Sequence, residues 1–215
     1  MKFVSKMRLW AACVLLVTCM ISLAACTRGG KNNQTPTPEP TAIPATGCEL
    51  HVLAIGKADA LLLLADGKAM LIDAGYKHNA DEVVNYLKSR GVSRLEYVVL
   101  THGDKDHVGG MADVLRNFEV GTVLISPKKE KSEYYEDMIS VIRQKSISCV
   151  SPEVGTTYSL GTATFQTLAP GEKALKEGSD NDASIAIRFV YGAKSFLLMG
   201  DALSTTEKEL MDSTL

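Results

Sequence analysis

The sequence predicts an α/β domain in which sheets are faced by helices, and three observations carry that reading. The chain has 215 residues, enough for one domain of ordinary size with a well-buried core. From Glu49 onward, short β-rich apolar runs come first, as a meander punctuated by turn signals. Amphipathic helical stretches then alternate with further apolar runs, which excludes an all-helical bundle. The formal net charge of -2, with both signs interspersed, excludes recognition of nucleic acid or membrane through a whole-molecule field. Any phosphate binding has to come from a local site.

Residues 1–25 lie outside that fold. Lys2, Lys6 and Arg8 form a basic start, and Leu9 to Leu23 is an apolar run broken only by Thr18 and Ser22. The run is too short for a comfortable membrane span and ends in the small residues of a secretory signal. Its Leu-Ala-Ala-Cys ending resembles the lipobox of bacterial lipoproteins, which implies a signal peptide over 1–25 and a lipid on Cys26. The alternative is an uncleaved anchor; either way the remainder sits at the membrane on the extracytoplasmic side. Residues 26–47 are rich in Thr, Pro, Gly and Asn with almost no large apolar side chain, so they read as an extended tether. The globular domain is expected over 48–215.

Within it, "ELHVLAI", "ALLLLA" and "AMLIDAG" are separated by turn signals at Gly56 and Asp66-Gly67, and they read as adjacent antiparallel strands. "NADEVVNYLKSRG" carries Val83, Val84 and Leu87 at helical spacing, acids early, bases late and a stop at Gly91. "LEYVVL" (95–100) is a buried strand. "GGMADVLRNF" suits a helix, "GTVLIS" a strand and "SEYYEDMISVIRQK" a second amphipathic helix. The stretches "ISCV", "ATFQTLAP", "SIAIRFVYG" and "KSFLLMGDA" read as strands, and a last helix starts at Ser204. Of five cysteines, only Cys48 and Cys149 fall in this domain; one disulfide and two free thiols are both open, because spacing does not show proximity.

"THGDKDHVGG" (101–110) follows the strand ending at Leu100, at the carboxyl end where open α/β sheets place their sites. His102 and Asp104, two positions apart, can converge on one point, and Asp106 and His107 on a second. Imidazole with carboxylate is a ligand set for zinc, manganese or iron. The competing reading is a polar loop that caps the following helix. Four alternating ligand-type residues and Gly109-Gly110 favour a metal, the glycines being placed where backbone passes close to ions.

The motif resembles the H-x-[HD]-x-D-H signature of the metallo-β-lactamase superfamily. With "HVLAIGKADALLLLADGKAMLIDAG" upstream and "NDASIAIRFVYGAKSFLLMGDA" downstream, the chain is similar to the extracytoplasmic domain of ComEC-type DNA-uptake proteins. The resemblance implies a four-layer αββα sandwich with two divalent ions, Zn or Mn, at one edge of the sheets. Carried over by position, His102 and Asp104 serve one ion, Asp106 and His107 the other, and Asp201 bridges both. Asp106 also orients the nucleophile, Asp73 braces the motif loop, and Asp59 matches an aspartate of the family's Gly-Asp-Ala block. The implied function is a lipid-anchored, metal-dependent phosphodiesterase or nuclease that uses an activated water, with single-stranded DNA or another phosphodiester as substrate.

Departures accompany the resemblance. The chain has only four histidines, His51, His78, His102 and His107, where the family usually brings two more. Asn181 or Asp182 stands where one of them falls. The other belongs to a His-His-Gly-Ser block after the helix in which this chain ends at Leu215, so an incomplete C-terminus is expected. His51 reads as a half-buried strand residue; His78 is the better substitute ligand. The alternatives are a non-catalytic remnant or surface DNA-binding module, and a hydrolase of a non-nucleic ester or lactam.

Overall fold

A computed structural model describes residues 43–213. The signal over 1–25, the lipid site at Cys26 and the tether up to residue 42 lie outside the described residues. Among those described, no helix is long and apolar enough to cross a membrane.

Six strands form the first sheet: β1 (Cys48–Val52), β2 (Leu61–Ala65), β3 (Lys68–Ile72), β4 (Arg94–Leu100), β5 (Glu119–Ile125) and β6 (Ser148–Val150), side by side in chain order. The first three are antiparallel and the rest parallel. Asp66 and Gly67 join β2 to β3 with φ of 47° and 77°, the paired left-handed residues that a two-residue hairpin needs. From β3 onward each return is made through helices: α1 (Ala80–Ser89), then α2 (Lys105–Val108) with α3 (Met111–Asn117), then α4 (Glu133–Lys145).

The run of four leucines in β2 is explained by burial on both faces. Leu62 and Leu64 join Leu71, Val98, Leu100 and Val123 under the helices. Leu63 and Ala65 face the other way with Met70, Ile72, Val99 and Leu124, against a second sheet. That sheet is antiparallel in the order β10, β9, β8, β7, built from β7 (Thr157–Leu160), β8 (Ala163–Ala169), β9 (Ala186–Tyr191) and β10 (Lys194–Leu198). Its inward row centres on Phe165 and Phe189, register partners that are fully buried. Tyr97 of the first sheet meets Phe165 edge-on at 5.1 Å between ring centroids. Outside the second sheet lie α5 (Glu172–Glu177) and α6 (Ser204–Asp212), with Leu168, Leu175 and Leu210 around a cavity of about 470 Å³. Helix, sheet, sheet and helix is the expected four-layer order.

Strand β7 and helix α5 were not expected from the sequence. Only Tyr158 and Leu160 are apolar in β7, and α5 is too short for a helical period to register. Cys48 and Cys149 are free thiols. They lie on the two outer strands of the six-stranded sheet, five strand spacings or about 24 Å apart, whereas a disulfide needs Cα atoms within about 7 Å.

Candidate metal centre

Three strand ends of the two sheets supply the site: Asp73 follows β3, residues 101–107 follow β4, and Asp201 follows β10. The two sheets are tied together there. Ile185 N donates to the Thr101 carbonyl at 2.9 Å, and Gly200, at φ 53°, passes so close that a Cβ would lie 2.8 Å from that of Thr101.

Asp73 is wholly buried at a left-handed φ of 56°, a conformation that Asp tolerates. Its Oδ1 accepts from Thr101 N at 2.9 Å, and its Oδ2 accepts from Thr101 Oγ1 at 2.7 Å and from His107 Nδ1 at 2.8 Å. The carboxylate therefore fixes the proton of His107 on Nδ1 and leaves Nε2 facing Asp201 Oδ1, 3.4 Å away. Burial opposes charge on His107, but the bond to Asp73 and the charges of Asp73, Asp201 and Asp106 push it up to about 9. Metal uptake by this imidazole displaces a proton.

His102 is organised by the same carboxylate through one intermediary. The Thr101 hydroxyl gives its proton to Asp73, so it accepts from His102 Nδ1 at 3.1 Å. His102 Nε2 is then a bare lone pair, buried, with no hydrogen-bond partner. Burial, and next the charge on His107, hold this imidazole below its usual range and keep it neutral. A buried acceptor without a donor is costly unless something electrophilic meets it.

His102, His107 and Asp201 bring one donor atom each within 4.8 Å of one another. Two imidazoles and a carboxylate at that spacing fit a zinc-like divalent ion, and the orphaned Nε2 points to the same use. Asp104 is adjacent, its Oδ2 3.6 Å from His102 Nε2. It occupies the N-cap position of α2 yet makes no capping hydrogen bond, which counts against the loop-capping reading. Asp106 lies outside the three-residue group; its charge acts on His107 and Asp59, and its carbonyl accepts from Asp59 N at 3.2 Å. The Asp59 carboxyl, exposed at the rim, is pushed up by loss of surrounding water and by Asp73, Asp201 and Asp106, with His107 opposing.

Other candidates are placed elsewhere. His51 is half-buried on its strand, as expected, and it is held between Glu49 Oε2 at 2.8 Å and Tyr86 OH at 2.9 Å, bracing the strand against α1. His78 is exposed and stacked on Tyr76, outside the group. The Asn181 side chain makes no hydrogen bond among the described residues, whereas Asp182 caps α6 by accepting from Leu203 N and Thr206 N at 3.2 Å. Burial pushes the Asp182 carboxyl up, yet the bonds from Thr206, Ser179 and Leu203 hold it below the usual range.

The structure corrects the reason for Gly109 and Gly110. A Cβ on Gly110 would lie 2.3 Å from the Ala74 carbonyl oxygen, and one on Gly109 2.4 Å from Lys77 N. The glycines let the motif loop dock on the turn after Asp73, where Ala74 N donates to the His107 carbonyl at 2.9 Å and Gly110 N to that of Gly75 at 3.0 Å. Thr101 was missed as a functional residue; its only sequence signal was its place at the head of the motif.

The family model of the metallo-beta-lactamase superfamily matches residues 55–215. Curated relatives include ComE operon protein 3 of Bacillus subtilis (strain 168), 26% identical over 131 residues, and competence protein ComA of Neisseria gonorrhoeae, 27% identical over 173. Recombination protein 2 of Haemophilus influenzae is 26% identical over 165 residues. These alignments cover 60%, 80% and 74% of this chain but only 16%, 22% and 19% of the relatives, in the order named, so the chain spans about a fifth of their length. Among solved structures, the SMB-1 metallo-beta-lactamase aligns with a TM-score of 0.50 at 19% identity, over 74% of this chain and 62% of that one. The MIM-2 metallo-beta-lactamase gives 0.50 at 18% identity, over 71% and 57%. At such identity the likeness shows the fold alone.

Proposed function

The chain belongs to the metallo-β-lactamase superfamily, and from that premise we propose that it is a metal-dependent phosphodiesterase acting on single-stranded DNA, anchored outside the cell membrane through a lipid on Cys26. One observation carries the reading: the unpartnered, buried His102 Nε2 beside His107 and Asp201 at the strand ends. The fold implies a divalent metal, and the reading is of two ions, Zn or Mn. His102 with Asp104 would hold one, Asp106 with His107 the other, and Asp201 would serve both. The curated relatives are named for competence and recombination, which favours a nucleic-acid substrate over a lactam.

Divalent ions in this group supply Lewis-acid chemistry, lowering the pKa of water toward neutrality and offsetting charge on the phosphate oxygens. The residues of the chain do the rest. Asp73, directly and through Thr101, keeps both Nε2 atoms turned to the site. Asp106, at the first turn of α2, orients the attacking water toward phosphorus and accepts its proton. Water oxygen bonds to phosphorus as the opposite ester P–O bond breaks, and the departing alkoxide takes a proton from solvent.

A binding module that keeps the fold without turnover is the second reading. It is favoured by the placement of His51 and His78, which give Asp106 and His107 no further imidazole among the described residues. The test is zinc- or manganese-dependent cleavage of labelled single-stranded DNA by the chain and by Asp106→Ala. Cleavage that Asp106→Ala abolishes supports the phosphodiesterase. Unchanged cleavage in that variant rejects the assignment of Asp106, and DNA binding without any cleavage establishes the module.

A further inference from the structure

Beyond the metal centre, the loop after β5 and the face of α4 enclose a cleft of about 560 Å³ that carries three cations, Lys129, Lys131 and Arg143. Among the described residues none of the three is ion-paired, whereas Lys77, Arg116 and Lys128 each hold a carboxylate. The same lining includes Glu130 and Glu136, leaving a local excess of one positive charge in a chain whose formal net charge is -2.

The cleft abuts the metal motif. Gly103, between His102 and Asp104, lies against Glu130 so closely that a Cβ would fall 1.8 Å from Glu130 Cγ. Lys128 pairs with Asp180 beside the turn at Asn181–Ala183, and Ser126 Oγ donates to the Ala183 carbonyl at 2.7 Å, which pins the loop to the second sheet. Tyr135 is the only aromatic side chain lining the cleft, and it is 7% exposed, which leaves no open ring on which a base could stack.

We infer that this cleft is the track along which a single-stranded phosphodiester chain is led to the metal centre, gripped by Lys129, Lys131 and Arg143 through its phosphates. The inference rests on the phosphodiesterase reading and names the surface that holds the substrate. Recognition by backbone charge alone makes binding independent of base sequence and steeply dependent on salt.

The test is fluorescence anisotropy of a labelled oligothymidine with the full chain in excess EDTA, so that binding is read without turnover. The combined variant Lys129→Gln, Lys131→Gln, Arg143→Gln keeps the side-chain stems and removes the charge. Three lost phosphate contacts at about 0.7 each lower the slope of log affinity against log salt by about 2, and affinity at low salt falls by about tenfold or more. Arg188→Gln with Lys194→Gln, exposed cations on the β9–β10 hairpin, leaves both unchanged. An unaltered slope in the triple variant, an equal loss in the hairpin variant, or no DNA binding by the wild type overturns the inference. Turnover of bis(p-nitrophenyl) phosphate by the metal-loaded wild type reports on the phosphodiesterase reading separately, since so small a diester need not reach the cleft.

Discussion

Replacing Asp73 by Asn tests the brace beneath the site while leaving the backbone alone, because Asn also tolerates the left-handed φ of 56°. The amide oxygen can still accept from Thr101 N. The amide nitrogen replaces Oδ2, however, and meets two donors, Thr101 Oγ1 at 2.7 Å and His107 Nδ1 at 2.8 Å. The hydroxyl can rotate to accept, but the imidazole must lose its proton from Nδ1 or break the contact. Each charge-assisted bond contributes about 1.5–3 kcal/mol, and with the hydroxyl's partial recovery the net loss is about 3 kcal/mol in the metal-free protein. Freed from Asp73, His107 Nε2 is no longer held toward Asp201, and zinc affinity falls about 10- to 100-fold. Urea unfolding in EDTA reads the first quantity and competition with a chelating dye the second. If Asp73→Asn matches the wild type in both, the reasoning that ties the two histidines to this carboxylate is wrong.

Three further perturbations have expected outcomes. Asp66 accepts from Gly47 N, Thr162 N and the hydroxyls of Thr162 and Tyr191, which tie the β2–β3 hairpin to the second sheet; the Thr162 bonds foremost hold its carboxyl at about 2. Because that value is depressed from 3.8, its contribution is present above pH 4 and lost as pH falls toward 2. Asp66→Asn therefore melts lower than wild type at pH 7, and the two melting temperatures converge near pH 2. Gly110→Ala places a Cβ 2.3 Å from the Ala74 carbonyl oxygen, and it is expected to cost about 1–3 kcal/mol in urea unfolding and weaken metal uptake, by prising the motif loop from the turn after Asp73. Phe165→Ala, in the fully buried layer between the sheets, costs about 3–5 kcal/mol by the same measurement.

Legibility in the sequence followed the range of the interaction. The hairpin at Asp66-Gly67 and the helix over 80–89 are local events, and both were read. The run in β2 was read as a strand, whereas its burial on both faces became visible only once the helices and the second sheet were in place. The metal motif was read as ligand chemistry because its spacing is short-range, whereas Asp201 and the bracing role of Asp73 rested on family resemblance. Thr101 could not be read as a link, since its hydroxyl matters only once the chain returns Asp73 to its side, 28 positions away. Asp182 is similar: the start of α6 at Ser204 was found, but its cap comes from another segment, and no adjacent residue signals it. The question of Cys48 and Cys149 needed the strand order, which placed them on opposite edges.

The central claim is that His102, His107 and Asp201 belong to a divalent-metal centre, and calorimetric titration of zinc into the EDTA-stripped chain tests it most directly. Wild type is expected to take up at least one ion per chain, with release of protons, and His102→Ala to lose at least about a hundredfold in affinity. No uptake by the wild type, or uptake unchanged in His102→Ala, would contradict the account.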